Sequence, residues 1–277
     1  MIVEPAGRDE FLALMQETYG SAMSPAEFDW WFDRNPAGPR ILNAARDDDG
    51  SALGVLAMSF ARMSQGLAAF AVHAVTTPAA RGRGVFSTLE LRNEEEAAEA
   101  GAEWALGFTN PLAGPILVGR LGWEDVTSLR IWVRPKRLRP RRTGHLRVEP
   151  RVEPVARRLP AHHLVRDEAY LAWRYTDSPR PYAQAGEVIV THALWHGLSA
   201  AVVCEHGRGL SRAVGLVEAD VAVAMVNPGE ERRFLAAGFV PTPRTIRFIG
   251  KRIRDDAPPL PKRRDAWHFT LGDLDFF

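Results

Sequence analysis

The 277-residue chain is long enough for one large or two ordinary domains. Hydrophobic residues make up 46% of it and charged residues 25%, a balance that excludes intrinsic disorder and a fibrous repeat. Lys and Arg number 35 against 34 Asp and Glu, so no overall positive field attracts nucleic acid or a membrane surface. The single cysteine, Cys204, excludes an internal disulfide and a thiolate zinc site, and its apolar surroundings predict a small buried side chain.

The N-terminus carries charge at Arg8 and Asp9, so it lacks the basic start and apolar core of a secretion signal. The longest apolar stretches, such as residues 68–75, have the length of a strand rather than the about 20 residues that a membrane helix needs. We therefore expect a cytoplasmic protein with no membrane partner.

Hydrophobic periodicity divides the first half of the chain into short elements. The predicted helices span residues 9–19, 25–32, 85–100 and 112–121. The predicted strands span residues 41–45, 52–62, 67–76, 104–109 and 128–133, and turn signals separate the first three of these. The expected order is ααβββαβαβ, beginning with an antiparallel meander.

A basic, proline-containing segment follows. Residues 130–147 hold eight Lys and Arg, two Pro and no acidic residue. Such a segment cannot bury apolar surface, which favours a solvated linker, although a patch for an anionic ligand is the alternative. We place the first domain at residues 1–134, the linker at 135–160 and a second domain at 161–277.

The second half repeats ordered pieces of the first, a pattern that indicates two copies of one fold. The interval from Trp30 to Asn110 is 80 residues, whereas that from Trp173 to Asn227 is 54, so the second copy lacks about one loop and one helix. The matching pieces are Trp30-x-Phe32 with Trp173-x-Tyr175, Asn110-Pro111 with Asn227-Pro228, Leu121-Gly122-Trp123 with Ala237-Gly238-Phe239, and Arg130-Ile131-Trp132 with Arg247-Phe248-Ile249.

Residues 75–88 run from a strand, through a glycine-rich turn, into the long helix. Gly82 and Gly84 let the backbone approach an anion closely, and the first N–H groups of the helix lack intrahelical partners. The helix dipole favours negative charge at the same place, so a pyrophosphate would fit. Arg81 and Arg83 supply charge, while Ser87 and Thr88 offer hydroxyl donors. A plain turn with solvated arginines is the alternative.

At these residues the sequence resembles the GNAT superfamily of acyl-CoA-dependent N-acyltransferases. The resemblance depends on residues 77–85, which look like the family's Arg-x-x-Gly-x-Gly loop, on Asn110 and on residues 121–123. It covers residues 1 to about 134, and the second half resembles a degenerate copy. The resemblance implies an α/β (α+β) fold of two tandem GNAT-like units, each a mixed, mostly antiparallel sheet flanked by helices.

The resemblance also implies a binding site for acyl-CoA. Backbone groups of Ala74, Val75 and Thr76 would bond to pantetheine, and Asn110 would contact the pantetheine arm. The pyrophosphate would be held by Arg81, Gly82, Arg83, Gly84, Val85, Phe86 and Ser87. Two departures stand out, because Phe86 replaces a small residue of the loop and Val118 occupies the place of the family's frequent tyrosine acid.

The acid–base chemistry stays open at this point. His73, on the strand that leads to the turn, could accept a proton directly or through water, or could simply be satisfied within the sheet. Glu124 is a second candidate base, and its alternative is solvation. Trp30, Trp31 and Asp33 could form a wall for a cationic acceptor, or pack in the core.

Near the C-terminus, Asp273 and Asp275 have strand spacing and either face an amine or belong to a solvated tail. Among the histidines, His162, His163, His192 and His196 have no partner at metal-ligand spacing, so the sequence predicts no metal. The Gly207-Arg208-Gly209-Leu210 segment lies between two runs that we interpret as strands, and we expect it to be a hairpin turn rather than a second phosphate site.

Together these features predict transfer of an acyl group, expected to be acetyl from acetyl-CoA, to a small-molecule primary amine. Direct attack in a ternary complex without a covalent enzyme intermediate is expected, and nucleic acid is not an expected partner. One alternative is a Fem-type transferase that uses aminoacyl-tRNA, for which the basic segment would hold phosphates. Another is a non-catalytic protein that binds acyl-CoA.

Overall fold

The computed structural model describes residues 1–20, 23–136 and 159–274 of the chain. The chain forms two compact units, the first comprising Met1–Val126 and Phe248–Pro261 and the second comprising Thr127–Arg247 and Lys262–Phe277. The units are therefore not consecutive along the chain. Most of the expected linker lies outside the described residues, so the boundaries at residues 134 and 161 stay a prediction.

The first unit and the strand that continues beyond Val126 contain the predicted order of elements, preceded by a short strand that sequence periodicity did not indicate. Its strands are β1 (Ile2–Pro5), β2 (Ile41–Arg46), β3 (Ala52–Met63), β4 (Gly66–Thr76) and β5 (Trp104–Thr109). Its helices are α1 (Arg8–Tyr19), α2 (Pro25–Phe28), α3 (Val85–Glu99) and α4 (Gly114–Arg120). A π-helical turn, Asp29–Asp33, continues α2, and strand β6 (Glu124–Pro135) starts at the end of this unit.

Local signals explain where these helices begin. Ser24 and Glu27 form a reciprocal capping box at the start of α2, with Pro25 in the first turn. Helix α1 ends at Gly20, which adopts a left-handed conformation with φ of 71°. The start of α2 and the end of α1 are therefore encoded in the local sequence.

The sheet of the first unit has the strand order β1-β2-β3-β4-β5. Strands β1 to β4 pair antiparallel, whereas β4 and β5 pair parallel. Helix α3 packs on this sheet through an apolar stripe that contains Val85, Leu89 and Ala97, all buried. Parallel pairing of β4 with β5 requires a long crossover, and the turn after β4 together with α3 supplies it.

The second unit begins within β6 and contains more, but shorter, elements. Its remaining strands are β7 (His162–His163), β8 (Tyr182–Ala185), β9 (Val188–Trp195), β10 (Leu198–Glu205), β11 (Val221–Met225), β12 (Val240–Arg252, of which the residues before Phe248 belong here) and β13 (Trp267–His268). Its helices are α5 (Glu168–Leu171), α6 (Leu210–Val214) and α7 (Glu231–Ala236), and the π-helical turn Ala172–Thr176 continues α5.

The strands of the second unit follow the order β12-β6-β11-β10-β9-β8, and β13 pairs with β7 in a separate two-stranded sheet. The pairing is mostly antiparallel, and β10 with β11 is the parallel exception. The predicted α/β architecture of mostly antiparallel sheets flanked by helices is therefore confirmed. The core of the second unit centres on Val188, Val203, Ala222 and Phe234, all completely buried.

The expected hairpin at residues 207–210 is wrong. Gly209 precedes helix α6, which includes Ala213 and Val214 and so replaces the strand expected over residues 213–217. The physical reason is the parallel pairing of β10 with β11, which a two-residue turn cannot connect. The second unit thus keeps its crossover helix, but as 5 residues where α3 has 15.

Among the described residues, no helix combines the length and the apolarity required to cross a membrane.

Candidate functional site

Strands β4 and β5 of the first unit share a ladder of three parallel pairs, which ends at Phe70 and Leu106. Strand β4 continues to Thr76 and β5 to Thr109 beyond that point. Val72 is a β-bulge, since Ala71 and His73 pair with consecutive residues of β3. A bulge bends its strand and disturbs the ladder, so this part of β4, which we call the open β4–β5 end, can present backbone groups to a ligand.

The chain then passes through residues 77–84, which we call the first glycine loop. Gly82 and Gly84 both have φ of 81°, a conformation that favours glycine. A Cβ atom added at either position would meet no heavy atom within 4 Å, so the space in front of the loop is open. No side chain caps α3 at Gly84. The first N–H groups of this 15-residue helix are therefore left without a side-chain cap, as an anion site requires.

Both arginines of the loop are exposed to solvent. Arg83 forms an ion pair with Asp47 at 2.9 Å, and this hydrogen bond lowers the pKa of the Asp47 carboxyl below its ordinary value. Arg81 is exposed. The hydroxyl of Thr88 donates to the carbonyl of Gly84, so it serves the helix backbone, and Ser87 is half-buried in the first turn.

The two departures from the family pattern lie in apolar surroundings. Phe86 is partly buried and packs against the clusters built on Leu89 and on Trp123. Val118 packs against the Trp123 cluster as well. Both side chains therefore contribute apolar packing, and no side-chain atom of the described residues lies within 4 Å of a Cβ placed at Gly82 or Gly84.

His73 lies one residue after the bulge and is half-buried. Its ring contacts two aromatic side chains edge-on, with centroid distances of 6.1 Å to Phe11 and 6.2 Å to Phe32. These rings belong to α1 and to the π-helical turn after α2. His73 is thus on the open β4–β5 end and faces the N-terminal helices.

Tyr19, which the sequence argument missed, reaches the same end of β4. Its hydroxyl donates to the carbonyl of Ala74 at 3.0 Å, and the side chain is 55% exposed. Ala74 is one of the residues expected to bond pantetheine. Tyr19 sits at the last position of an amphipathic helix, where nothing in the local sequence distinguishes it from a surface residue.

Asn110 directly follows β5, whereas Glu124 is the first residue of β6. The side-chain oxygen of Asn110 accepts hydrogen bonds from the backbone N–H groups of Leu112 and Ala113, at 2.9 and 3.0 Å. Asn110 therefore shapes the loop before α4. Glu124 is exposed at the start of β6.

The expected acceptor wall divides into buried and accessible residues. Trp30 is fully buried and Trp31 is 7% exposed, and their rings contact each other at 5.3 Å. Both side chains therefore pack in the core. Asp33 pairs with Arg40 and lines a cavity of about 370 Å³ that also includes Phe32 and Glu96.

A row of polar groups lies on the buried side of α3 at four-residue spacing. Glu94 accepts a hydrogen bond from the indole of Trp123 at 2.6 Å and pairs with Lys251. Glu90 is completely buried, and neither of its carboxylate oxygens has a hydrogen-bond partner among the described residues. Burial and the nearby Glu94 raise the pKa of Glu90 to about 8, so it is protonated at neutral pH.

Asp273 lies in the second unit and is not solvated. Its carboxylate accepts two hydrogen bonds from Arg166 at 2.8 Å and one from Tyr170 at 3.0 Å, with its side chain 0% exposed. It belongs to a short 3₁₀ turn, Leu271–Asp273, rather than to a strand. Asp275 lies outside the described residues.

Comparison with solved structures assigns the fold. A GCN5-related N-acetyltransferase from Kribbella flavida superimposes with a TM-score of 0.58 and 15% identity, over 91% of this chain and 72% of that one. A GCN5-related N-acetyltransferase from Anabaena variabilis gives 0.58 and 11%, over 91% and 73%. Eis1 from Mycobacterium abscessus gives 0.59 and 14%, over 93% and 75%.

No protein-family model matches the sequence, and no curated protein matches it. The likeness is therefore one of backbone rather than of sequence, and it extends over nine-tenths of the chain. The chain has the fold of the GCN5-related N-acetyltransferases.

Proposed function

We propose that this protein is an acyl-CoA-dependent N-acyltransferase whose first unit binds the cofactor. The observation that carries the proposal is the open glycine loop at the start of α3. Its two left-handed glycines leave free space in front of backbone N–H groups, directly after a strand whose ladder is open. Pyrophosphate at the loop and pantetheine along β4 would use both features together. The fold shared with N-acetyltransferases supports the same assignment.

The proposed cofactor residues fall into two groups along this path. Backbone groups of Ala74, Val75 and Thr76 would bond pantetheine, for which the Tyr19 hydroxyl would have to release the Ala74 carbonyl. Residues 81–87 would surround the pyrophosphate, with Arg81 supplying charge from an exposed position. Asn110 would act by fixing the loop that borders the pantetheine arm.

The proposed reaction is direct transfer of an acetyl group from the thioester to a small primary amine. Transfer needs a base for the amine proton and polarisation of the carbonyl. His73, beside the bulge, is the proposed base. A backbone N–H group of β4 near the bulge would polarise the thioester carbonyl. Glu124 is the second candidate base. Of the three residues expected at the acceptor, Trp30 and Trp31 are buried and Asp33 is exposed at the cavity. Asp33 is therefore the proposed contact for the amine.

Direct transfer is also supported by the state of Cys204. The thiol is 1% exposed and belongs to the second unit, and burial raises its pKa to about 12. A thiol in that state is a poor nucleophile at neutral pH. A covalent acyl-cysteine intermediate therefore has no suitable residue, since Cys204 is the single cysteine of the sequence.

Calorimetric titration with acetyl-CoA tests the proposal at its first step. We expect one site per chain, and absence of binding would reject the cofactor assignment. Thiol release from acetyl-CoA with a panel of primary amines tests the second step. A His73→Asn variant should keep cofactor affinity and lose turnover with a changed pH profile, whereas an unchanged profile would remove His73 as the base.

A non-catalytic acyl-CoA-binding protein is the second candidate, and the apolar surroundings of Val118 favour it. It predicts tight binding with no turnover on any amine. The aminoacyl-tRNA alternative depends on the basic segment, of which only the part up to Lys136 lies within the described residues, and it predicts binding to tRNA without binding to acetyl-CoA.

A further inference from the structure

Three potential metal ligands converge in the second unit. His206 follows β10, Glu230 directly precedes α7, and His268 belongs to β13. One ring nitrogen of each imidazole and one carboxylate oxygen of Glu230 all lie within 4.8 Å of one another. The residues are distant in sequence, which explains why the spacing argument, restricted to neighbouring histidines, predicted no metal.

The cluster is enclosed rather than on the surface. His206 is 3% exposed and His268 is 5% exposed, and their ring centroids are 6.2 Å apart. The Nδ1 atom of His206 and the Oε2 atom of Glu230 are 2.7 Å apart, so one proton lies between them. Buried imidazole and carboxylate groups are costly unless they are paired or bind a metal ion.

Further polar groups hold the cluster in place. Asn227 donates to the Oε2 atom of Glu230 at 3.1 Å and to the carbonyl of Phe269 at 2.9 Å, so it links two of the three ligand-bearing segments. Arg233 donates to the other carboxylate oxygen at 2.6 Å, and Arg264 donates to Asn227 at 2.9 Å. Such outer hydrogen bonds orient the ligands in metal sites.

We propose that His206, Glu230 and His268 bind one divalent transition-metal ion of the zinc class. Two imidazoles and one carboxylate suit Zn²⁺, Co²⁺ or Ni²⁺, whereas Ca²⁺ and Mg²⁺ prefer oxygen ligands throughout. Ligand atoms about 2.1 Å from a tetrahedral ion lie about 3.4 Å apart, so the three atoms would draw together and His206 would separate slightly from Glu230. The ion would replace the shared proton, which is released to solvent.

The proposed role is structural. Enclosure of the ligands limits access of a substrate. Among the described strands, β13 pairs only with the short β7, and the next residue, Phe269, donates to Asn227 beside the cluster. An ion there would fasten Trp267–His268 and the turn that follows to the ends of β10 and β11. We therefore expect the metal to raise thermal stability without entering the transfer reaction.

The experiment uses the full chain, free of any affinity tag and stripped of metal. Titration with Co²⁺ should give the absorption spectrum of a tetrahedral site at one equivalent, and Zn²⁺ should displace it. Glu230→Gln and His268→Asn should each weaken Zn²⁺ binding by at least about tenfold. The matched control is His192→Asn, which changes an exposed histidine of the same unit and should leave affinity unchanged.

The proposal is overturned if wild-type protein gives no tetrahedral Co²⁺ spectrum, or if His192→Asn weakens binding as much as His268→Asn does. Buried substitutions can prevent folding, so hydrogen exchange of the wild-type chain provides a second measurement. Zn²⁺ should slow amide exchange around His206, around residues 227–231 and around His268. Unchanged exchange in all three segments would equally overturn it.

Discussion

Both units contain a parallel strand pair followed by a β-bulge, a Gly-Arg-Gly loop and a helix, but the loop is open only in the first unit. In each, a parallel ladder of three pairs ends two residues before a β-bulge, at Val72 in β4 and at Cys204 in β10. Each strand then leads to a Gly-Arg-Gly sequence and a helix, at residues 82–84 and 207–209. Similar chain geometry therefore arises twice, and only the surroundings of the loop differ.

The surroundings decide whether the loop can accept a ligand. A Cβ atom at Gly84 would meet nothing within 4 Å, whereas one at Gly209 would lie 2.4 Å from the carbonyl oxygen of Ala185. The turn between β8 and β9 occupies the space, and the N–H of Glu187 donates to the carbonyl of Arg208 at 3.0 Å. The loop of the second unit is thus satisfied by its own chain, and its 5-residue helix offers little dipole.

A second difference concerns the end of the parallel strands. In the second unit the C-terminal segment packs there, with Gly272 close to the carbonyl of Cys204 and the hydroxyl of Tyr175 donating to Glu205 at 2.7 Å. In the first unit, His73 and the open β4–β5 end lie at the corresponding place after the bulge. In the second unit, protein therefore fills the space at the end of the parallel strands.

The largest expected effect comes from a substitution in the C-terminal segment that packs in the second unit. Asp273→Asn removes one of the two carboxylates that pair with the half-buried Arg166, the other being Glu205, and should lower the free energy of unfolding by about 3 kcal/mol. Affinity of the folded variant for acetyl-CoA should not change. Chemical denaturation followed by calorimetry measures both, and a loss of amine turnover at unchanged stability would instead place Asp273 at the acceptor.

Gly209→Ala should have the next largest effect, again on stability. The added Cβ meets backbone atoms that cannot yield cheaply, and a positive φ of 103° disfavours alanine. We expect a loss of about 1–3 kcal/mol in unfolding free energy, measured by denaturation, with normal cofactor binding. Impaired acetyl-CoA binding in a folded Gly209→Ala protein would reverse the roles of the two loops.

The units should respond to pH in opposite directions. Glu90 has a folded-state pKa of about 8, above its ordinary 4.5, so stability of the first unit falls as pH rises between these values, by at most about 1.4 kcal/mol per pH unit. Burial would raise the pKa of Glu230, but His206 and Asn227 hold it well below its ordinary value, so its contribution is lost as pH falls.

The variant Glu90→Gln isolates the alkaline branch of this behaviour. Thermal unfolding between pH 5 and pH 8 should show a flatter decline for the variant than for the wild-type chain, because an amide does not ionise. Equal slopes for the two proteins would show that Glu90 ionises in the folded protein with its ordinary pKa, and would contradict the raised value.

The smallest expected effect is that of Cys204→Ala. The thiol is buried and not ionised, so turnover should remain within about twofold of the wild-type rate, with a modest loss of stability from the smaller side chain. Thiol-release kinetics measure it. Loss of activity in a stably folded variant would argue for a covalent intermediate.

Sequence periodicity and turn residues predicted much of the first unit, because its elements carry strong local signals such as Gly82, Gly84 and the capping residues of α2. The second unit was harder. Helix α6 was interpreted as a strand because its apolar residues are too few to show a helical period, and parallel pairing is a non-local property. Strand β1 was missed because only its pairing with β2 makes it a strand.

The candidate site likewise has features that local sequence predicts and features that it does not. The glycine loop could be found from its sequence, since the chemistry follows from backbone conformation. The contact of Tyr19 with Ala74, the burial of Trp30 and the gathering of His206, Glu230 and His268 depend on residues far apart in the chain. Local sequence carries no record of such contacts, and only the folded structure supplies them.

The central claim, that acyl-CoA binds at the glycine loop of the first unit, is tested most directly by Gly84→Val. Its matched control is Gly101→Val, at the other end of α3, where φ is 94° and a Cβ also meets nothing within 4 Å. Both variants should lose similar stability. Calorimetry with acetyl-CoA should show an affinity loss on the order of 100-fold for Gly84→Val and almost none for Gly101→Val. Equal affinities in the two variants would contradict the account.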